Sequence, residues 1–246
     1  MQISSEKLIQ SNIALRDIAH RLTQKYQSSG KVPTDNKEML VLLFLTKAQK
    51  THAAIMLLCS DGYGQDAVVL SRSILELLIT IKYILADSTD GRVDRYVSHD
   101  WVLRSELYEN LKNREELAVI PTEKIQEIKA NADAAQKKYG YKPYGGWSDK
   151  TMYYMAKEIG EESNFNICYG IQCSFSHSSA RSMMEYMKES DGQYVFDAGK
   201  SERYINPALA MAFDFQKSLC LEADKLFSLG FTEELLQLVP PSIGTE

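Results

Sequence analysis

Arginine and glutamate stand one helical turn apart at Arg72 and Glu76, inside a run that is otherwise apolar: AVVLSRSILELLITIKYILA, residues 67–86. A helix that is apolar on every side is usually buried, and an ion buried without a partner costs several kcal/mol. At about 100° per residue, Arg72, Glu76 and Tyr83 fall within roughly 40° of one another. The stretch therefore reads as a buried helix with a narrow polar stripe, and something must face that stripe. Arg72 and Glu76 can pair with each other, although glutamate N-terminal to the cation is the better order. Either the pair is purely structural, or a third group or a ligand completes it.

A second concentration of polar chemistry is YGIQCSFSHSSAR, residues 169–181. On a continuous helix Tyr169, Cys173, His177 and Arg181 recur every four residues and share a face, with Ser174 and Ser178 beside it. A histidine with an arginine one turn away suits proton transfer and anion binding. The plainer alternative is a histidine that only caps or hydrogen-bonds a buried helix. In RVDRYVSHDW, residues 92–101, Arg95 and His99 are also one turn apart and, with Tyr96, can face one cleft. Further on, Lys137, Lys138, Lys142 and Lys150 interleave with Tyr139, Tyr141, Tyr144 and Trp147. Such a loop can hold single-stranded nucleic acid by stacking and phosphate contact, or it can pack its aromatics over the protein.

Several chemistries have no sequence support. Neither G-x-x-x-x-G-K-[ST] nor G-x-G-x-x-G occurs, and no serine-nucleophile motif is present. Carboxylates do not cluster with histidine on any one helix, so no metal and no cofactor is expected. Cys59, Cys168, Cys173 and Cys220 form no C-x-x-C pair and read as reduced thiols of a cytoplasmic protein. A net charge of −5 argues against broad electrostatic binding to nucleic acid, so DNA is not expected, while a local basic patch remains open. MQISSEKLIQ lacks a charged-then-apolar leader pattern. Arg72, Glu76 and Lys82 interrupt the stretch long enough to span a bilayer, so no membrane is expected.

Positioning these groups falls to helices. Ser4 or Ser5 caps a first helix to about residue 27, and Asp35 or Asn36 caps a second, from about residue 37 to 59. The core helix follows after a short turn, then a helix over about 92–113 and a polar surface helix opened by Pro121 and Thr122. Helices resume over about 150–159 and 164–188. SDGQYVFDAGKSE interrupts as a short hairpin or ordered loop, and a long helix covers about 206–229, with a further turn or two over 231–238. Short connections make consecutive helices antiparallel neighbours. The expectation is one all-α domain over 1–246: an up-and-down helical bundle, core about 36–230, with extra peripheral helices and a loose tail over 240–246.

GYGQDAVVLSRSILELLITIKYIL resembles the signature helix of a large uncharacterised bacterial family, with an R-S-x-x-E core followed by an aromatic at Tyr83. WSDKTMYYMAKEIG followed by YGIQCSFSHSS resembles that family's second signature: a tryptophan, a short helix, then tyrosine and S-x-x-H-like positions. The resemblance runs from about residue 40 to 227 and carries over Arg72, Glu76, Tyr83, Arg95, Trp147, Tyr169, Ser174 and His177. It implies an all-helical fold and no particular activity. More distantly, the arrangement is similar to the helical ribonucleases of toxin and phage-defence systems, which are metal-free, usually dimeric and carry R-x(4–6)-H. Here Arg95 and His99 have three residues between them, and His177 precedes Arg181.

The function expected from these residues is a stress- or phage-defence-type protein acting on RNA or a nucleotide without metal. His177 would be the general acid–base, Arg72 and Arg181 would hold phosphate, and Glu76 would orient Arg72. Tyr83, Arg95, Tyr96, His99, Tyr169, Ser174 and Ser178 would line the substrate side. The rival is a non-catalytic helical module that binds a ligand or partner at the same stripe. A homodimer is also an expectation.

Overall fold

A computed structural model describes residues 5–112, 120–142, 145–196 and 198–239. Ser4, Asn113, Tyr144 and the tail over 240–246, each named in an expectation above, lie outside the described residues.

The first helix, α1 (Ser5–Ser28), buries one stripe: Leu8, Leu15, Ile18, Ala19 and Leu22. The second, α2 (Asn36–Ser60), starts on a reciprocal cap. Asp35 accepts from the Glu38 N–H at 2.8 Å, and the Glu38 carboxylate accepts from the Thr34 N–H at 2.7 Å, satisfying donors that a helix start leaves orphaned. The core helix, α3 (Gly64–Leu85), buries 14 of its 22 residues on several sides. The long closing helix, α10 (Ile205–Phe227), packs against α1, α2 and α3 and brings Phe213 and Phe215 fully inside.

These four helices make the core, and the fold is all-α as expected. The chain order of neighbours differs in one place: α1 leans chiefly on α10 rather than on α2. A buried amide helps to set this. Asn12 Nδ2 on α1 donates to Leu8 O at 2.8 Å and to Leu209 O of α10 at 3.2 Å.

Around the core stand α4 (Gly91–Leu111) paired with α5 (Thr122–Tyr139), then α6 (Met152–Glu158) and α7 (Glu162–Asn164). A π-helical stretch (Phe165–Tyr169) leads into α8 (Gly170–Ser176) and the short α9 (Ala180–Met183). Strands β1 (Met187–Ser190) and β2 (Gln193–Phe196) form an antiparallel hairpin, and α11 (Thr232–Gln237) closes the described chain. Asp191 and Gly192 both have positive φ, 53° and 72°, as a type I′ hairpin turn requires.

The helix expected over 164–188 is therefore interrupted. It ends at Ser176, restarts at Ala180 and gives way to the hairpin. Helix α2 is long and apolar enough to cross a membrane by length and composition, and 44% of its most apolar window is buried among the other helices. Cys59 and Cys220 are buried, and burial pushes both thiols up to about 12, so they behave as small apolar side chains.

One glycine fixes how α3 enters the core. A Cβ on Gly64 would lie 2.2 Å from Arg203 O and 2.5 Å from Ile205 N, both backbone atoms that cannot step aside cheaply. Gly64→Ala is expected to cost about 2–3 kcal/mol, at the upper end of overpacking, read as a lower urea midpoint at unchanged slope. An unchanged midpoint would mean that the segment before α10 moves freely away from α3.

Candidate functional site

The polar stripe of α3 is occupied at two stations. At the first, the Arg72 guanidinium uses three of its edges. Its Nε donates to Glu76 Oε1 at 2.7 Å, its Nη2 donates to the Tyr169 hydroxyl at 2.8 Å, and its Nη1 lies 3.5 Å from His177 Nε2. Arg72 and Glu76 are half-buried, with side chains 21% and 37% exposed, and His177 is exposed. A cluster that is reachable from solvent and anchored on one side can do chemistry, which a sealed pair cannot.

Each partner is held in turn. Tyr169 is the last residue of the π-helical stretch, a local rewinding that often marks functional positions. Its ring stacks on Phe165 at 4.3 Å and 18°. Burial raises the Tyr169 pKa, against the lowering effect of Arg72, while the Cys173 thiol adds a hydrogen bond and raises it further. The phenol thus keeps its proton at neutral pH. Burial pulls on the Arg72 charge, but the Glu76 hydrogen bond and carboxylate outweigh it and raise the guanidinium's pKa. A guanidinium N–H only donates, so the His177 nitrogen facing it is on the acceptor side.

Two buried side chains next to the site lock its register. Gln172 Nε2 donates to Ser71 Oγ at 2.8 Å, and Ser71 Oγ donates to Val68 O at 2.7 Å. Both residues are 0% exposed. This pair ties α8 to α3 one residue away from Arg72 and from Cys173. It is a link that sequence reading missed, since neither Ser71 nor Gln172 stands out from its own run.

The break after α8 aims His177 outward. His177 N–H donates to Cys173 O at 2.9 Å, Ser178 N–H to Phe175 O at 3.2 Å and Ser179 N–H to Ser174 O at 3.0 Å. That is a left-handed helix stop, with Ser178 at φ 50° in the place glycine usually takes. Ser179 then caps α9, its side chain accepting from the Ser182 N–H. The variant Ser178→Gly is expected to gain about 0.5–1 kcal/mol, the left-handed penalty less the entropy of glycine. Urea unfolding checks the sign, and a loss of stability would show that the serine side chain is needed at the stop.

Other expected site residues stand elsewhere. Arg181 lies beyond the break, so it no longer shares a helical face with His177; it is exposed, and its charge acts on Tyr204. Ser174 is tied into the stop, its hydroxyl 2.6 Å from the Ser179 hydroxyl. Ser178 is exposed at the turn. Tyr83 falls on the Arg72 stripe, but seven residues past Glu76, roughly 10 Å along the axis. There it forms the second station, under Arg92, whose Cζ is 3.7 Å from its ring centroid, and beside Trp147.

The cleft expected from Arg95, Tyr96 and His99 does not join the first station. Arg95 Nε donates to Trp147 O at 2.8 Å, and Tyr141 donates to Arg95 O at 2.6 Å. Tyr96 meets Trp147 edge-on at 5.1 Å, and His99 packs on Tyr141 at 4.8 Å. Burial lowers the His99 pKa, so its ring stays neutral. Tyr96 and His99 line a separate hollow of about 690 Å³ with Met39, Leu43 and Trp147, away from Arg72, Glu76, Tyr169 and His177. The described aromatics of the loop, Tyr139, Tyr141 and Trp147, are thus packed on the protein, with Lys138 paired to Asp94 and Lys150 to Glu158. Among the described residues no three His, Cys, Asp or Glu side chains gather as a metal site would need.

Residues 38–194 match DUF5677, a family of unknown function. The chain belongs to this family. The matched region runs from the start of α2 into β2 and contains all of Arg72, Glu76, Tyr169 and His177, whereas α1 and α10, which complete the core, lie outside it. No curated protein and no solved structure matches the chain. Within DUF5677 terms, the R-S-x-x-E helix and the Y…H helix are the two segments that this fold presses together.

Proposed function

We propose that this DUF5677 protein is a cytoplasmic, metal-independent enzyme of stress or phage-defence type that acts on RNA or a nucleotide. One observation carries the reading: Arg72 and His177, 105 residues apart in sequence, meet at 3.5 Å on an accessible surface, with Tyr169 bonded to the same guanidinium. An RNA phosphodiester suits these groups. The phosphate takes the place of His177 on Arg72 Nη1, and the freed His177 Nε2 takes the proton of the ribose 2′-hydroxyl as that oxygen attacks phosphorus. Arg72 neutralises the phosphoryl oxygens, and the protonated Tyr169 phenol gives its proton to the leaving oxygen. Glu76 orients Arg72 throughout.

A non-catalytic reading draws on the same geometry, since Glu76 and Tyr169 already satisfy two edges of Arg72. The test is purified protein incubated with RNA in chelator, beside the Tyr169→Phe variant. Cleavage to cyclic-phosphate ends, reduced in the variant, supports the enzyme. Full-length RNA under every condition, with a nucleotide bound, would leave the binding module in its place.

A further inference from the structure

A hollow of about 500 Å³ opens between α1, α2 and α10, lined by none of the residues of the Arg72–His177 site. Its floor holds two fully buried side chains, His52 and Gln216. The hydrogen bonds around them fix what each offers. Asn12 spends its amide N–H groups on two carbonyls, Leu8 O and Leu209 O, so its Oδ1 faces His52 Nε2 at 2.6 Å. An amide oxygen only accepts, so Nε2 carries the ring's proton and Nδ1 is a bare acceptor. Burial, with the nearby Arg16 charge, pushes the His52 pKa down to about 4 and keeps that state at neutral pH.

Gln216 is arranged the same way. Its Nε2 reaches Cys220 Sγ at 3.5 Å, leaving Oε1 as the outstanding acceptor. His52 Nδ1 and Gln216 Oε1 are both buried without a hydrogen-bond partner, a costly condition for polar atoms. The sulfur contact is weak, so the Gln216 amide can turn toward an entering donor at little loss. Above the floor stand Arg16 and Lys50, exposed and without a carboxylate partner among the described residues, beside Asp17, whose carboxylate is held by Arg21. Arg16 disfavours an ammonium as the donor and favours a neutral hydroxyl carried by an anion.

We propose that this hollow binds a small polyhydroxylated anion, a polyol phosphate or a hydroxylated carboxylate. Both acceptors are buried, so the Gln216 amide turns aside to admit the ligand. The ligand's hydroxyls then donate to His52 Nδ1 and Gln216 Oε1, and its anionic end meets Arg16 and Lys50. Calorimetric titration of the full chain with glycerol phosphate and with gluconate tests the claim and separates the two sources. Glycerol and inorganic phosphate each supply one half of the ligand and serve as controls.

Saturable binding of either anion is expected, weakened about tenfold or more in Arg16→Ala with Lys50→Ala, the loss of a charged hydrogen bond. Those side chains are exposed, so the double variant keeps its fold. Gln216→Leu, checked for folding by circular dichroism, is expected to weaken the anion but not inorganic phosphate. Three results would each overturn the proposal: no saturable heat with either anion, equal binding of phosphate alone, or unchanged binding in the Arg16/Lys50 variant.

Discussion

Replacing His177 with alanine is expected to lower RNA cleavage by roughly 10²- to 10⁴-fold, the range a positioned acid–base supplies, while stability stays within about 0.5 kcal/mol. The two halves of this result have separate causes. The imidazole is exposed, and its side-chain contact is the 3.5 Å approach to Arg72, so little packing is lost with it. The proton transfer has no substitute at that position, because Glu76 is committed to Arg72 Nε and Tyr169 to Nη2. Steady-state cleavage and a thermal melt on one preparation check both halves. Unchanged cleavage in His177→Ala would remove His177 from the mechanism.

Acid is expected to weaken the fold through His52. Burial holds its folded-state pKa at about 4, below the ordinary value of 6.5 that it regains on unfolding. Between these values the unfolded chain binds a proton that the folded chain does not. Stability from this group is therefore complete above about pH 6.5, falls as pH drops and is spent near about pH 4. The shift corresponds to about 3 kcal/mol, a large share of a domain's margin. Urea midpoints measured across this window in the wild type and in His52→Gln check it. The variant starts lower, since Asn12 loses a well-placed donor, but its midpoint falls less steeply with acid. Parallel slopes in the two proteins would assign the acid sensitivity to other groups.

The long helices were legible because the signals for them are local. The Asp35 cap, the α3 apolar run and the Asp191–Gly192 turn are each set by a few neighbouring residues. The stop at His177 was hidden because serine, histidine and alanine each tolerate a helix. What ends α8 is a left-handed serine, a state that glycine would have announced. Spacing placed Arg95 and His99 one turn apart, but it cannot say which neighbour covers them. Tyr141 and Trp147, arriving from 42 to 52 residues away, pack against them and set the hollow that Tyr96 and His99 line apart from Arg72.

The meeting of Arg72 with His177 is a tertiary fact of the same kind. Each residue stood out by chemistry in its own helix, Arg72 for its charge in an apolar run and His177 for its hydroxyl neighbours. The distance between them depends on how α8 docks on α3. The buried Gln172–Ser71 bond and the π-helical turn before Tyr169 set that docking, and neither has a sequence pattern of its own.

The most direct test of the Arg72–Tyr169–His177 site follows the His177 ring nitrogens by NMR as adenosine monophosphate is added. A phosphate held between Arg72 and His177 predicts a saturable shift of the His177 signals that disappears in Arg72→Met. His177 signals that ignore the nucleotide, or that shift equally in Arg72→Met, would contradict a shared phosphate site.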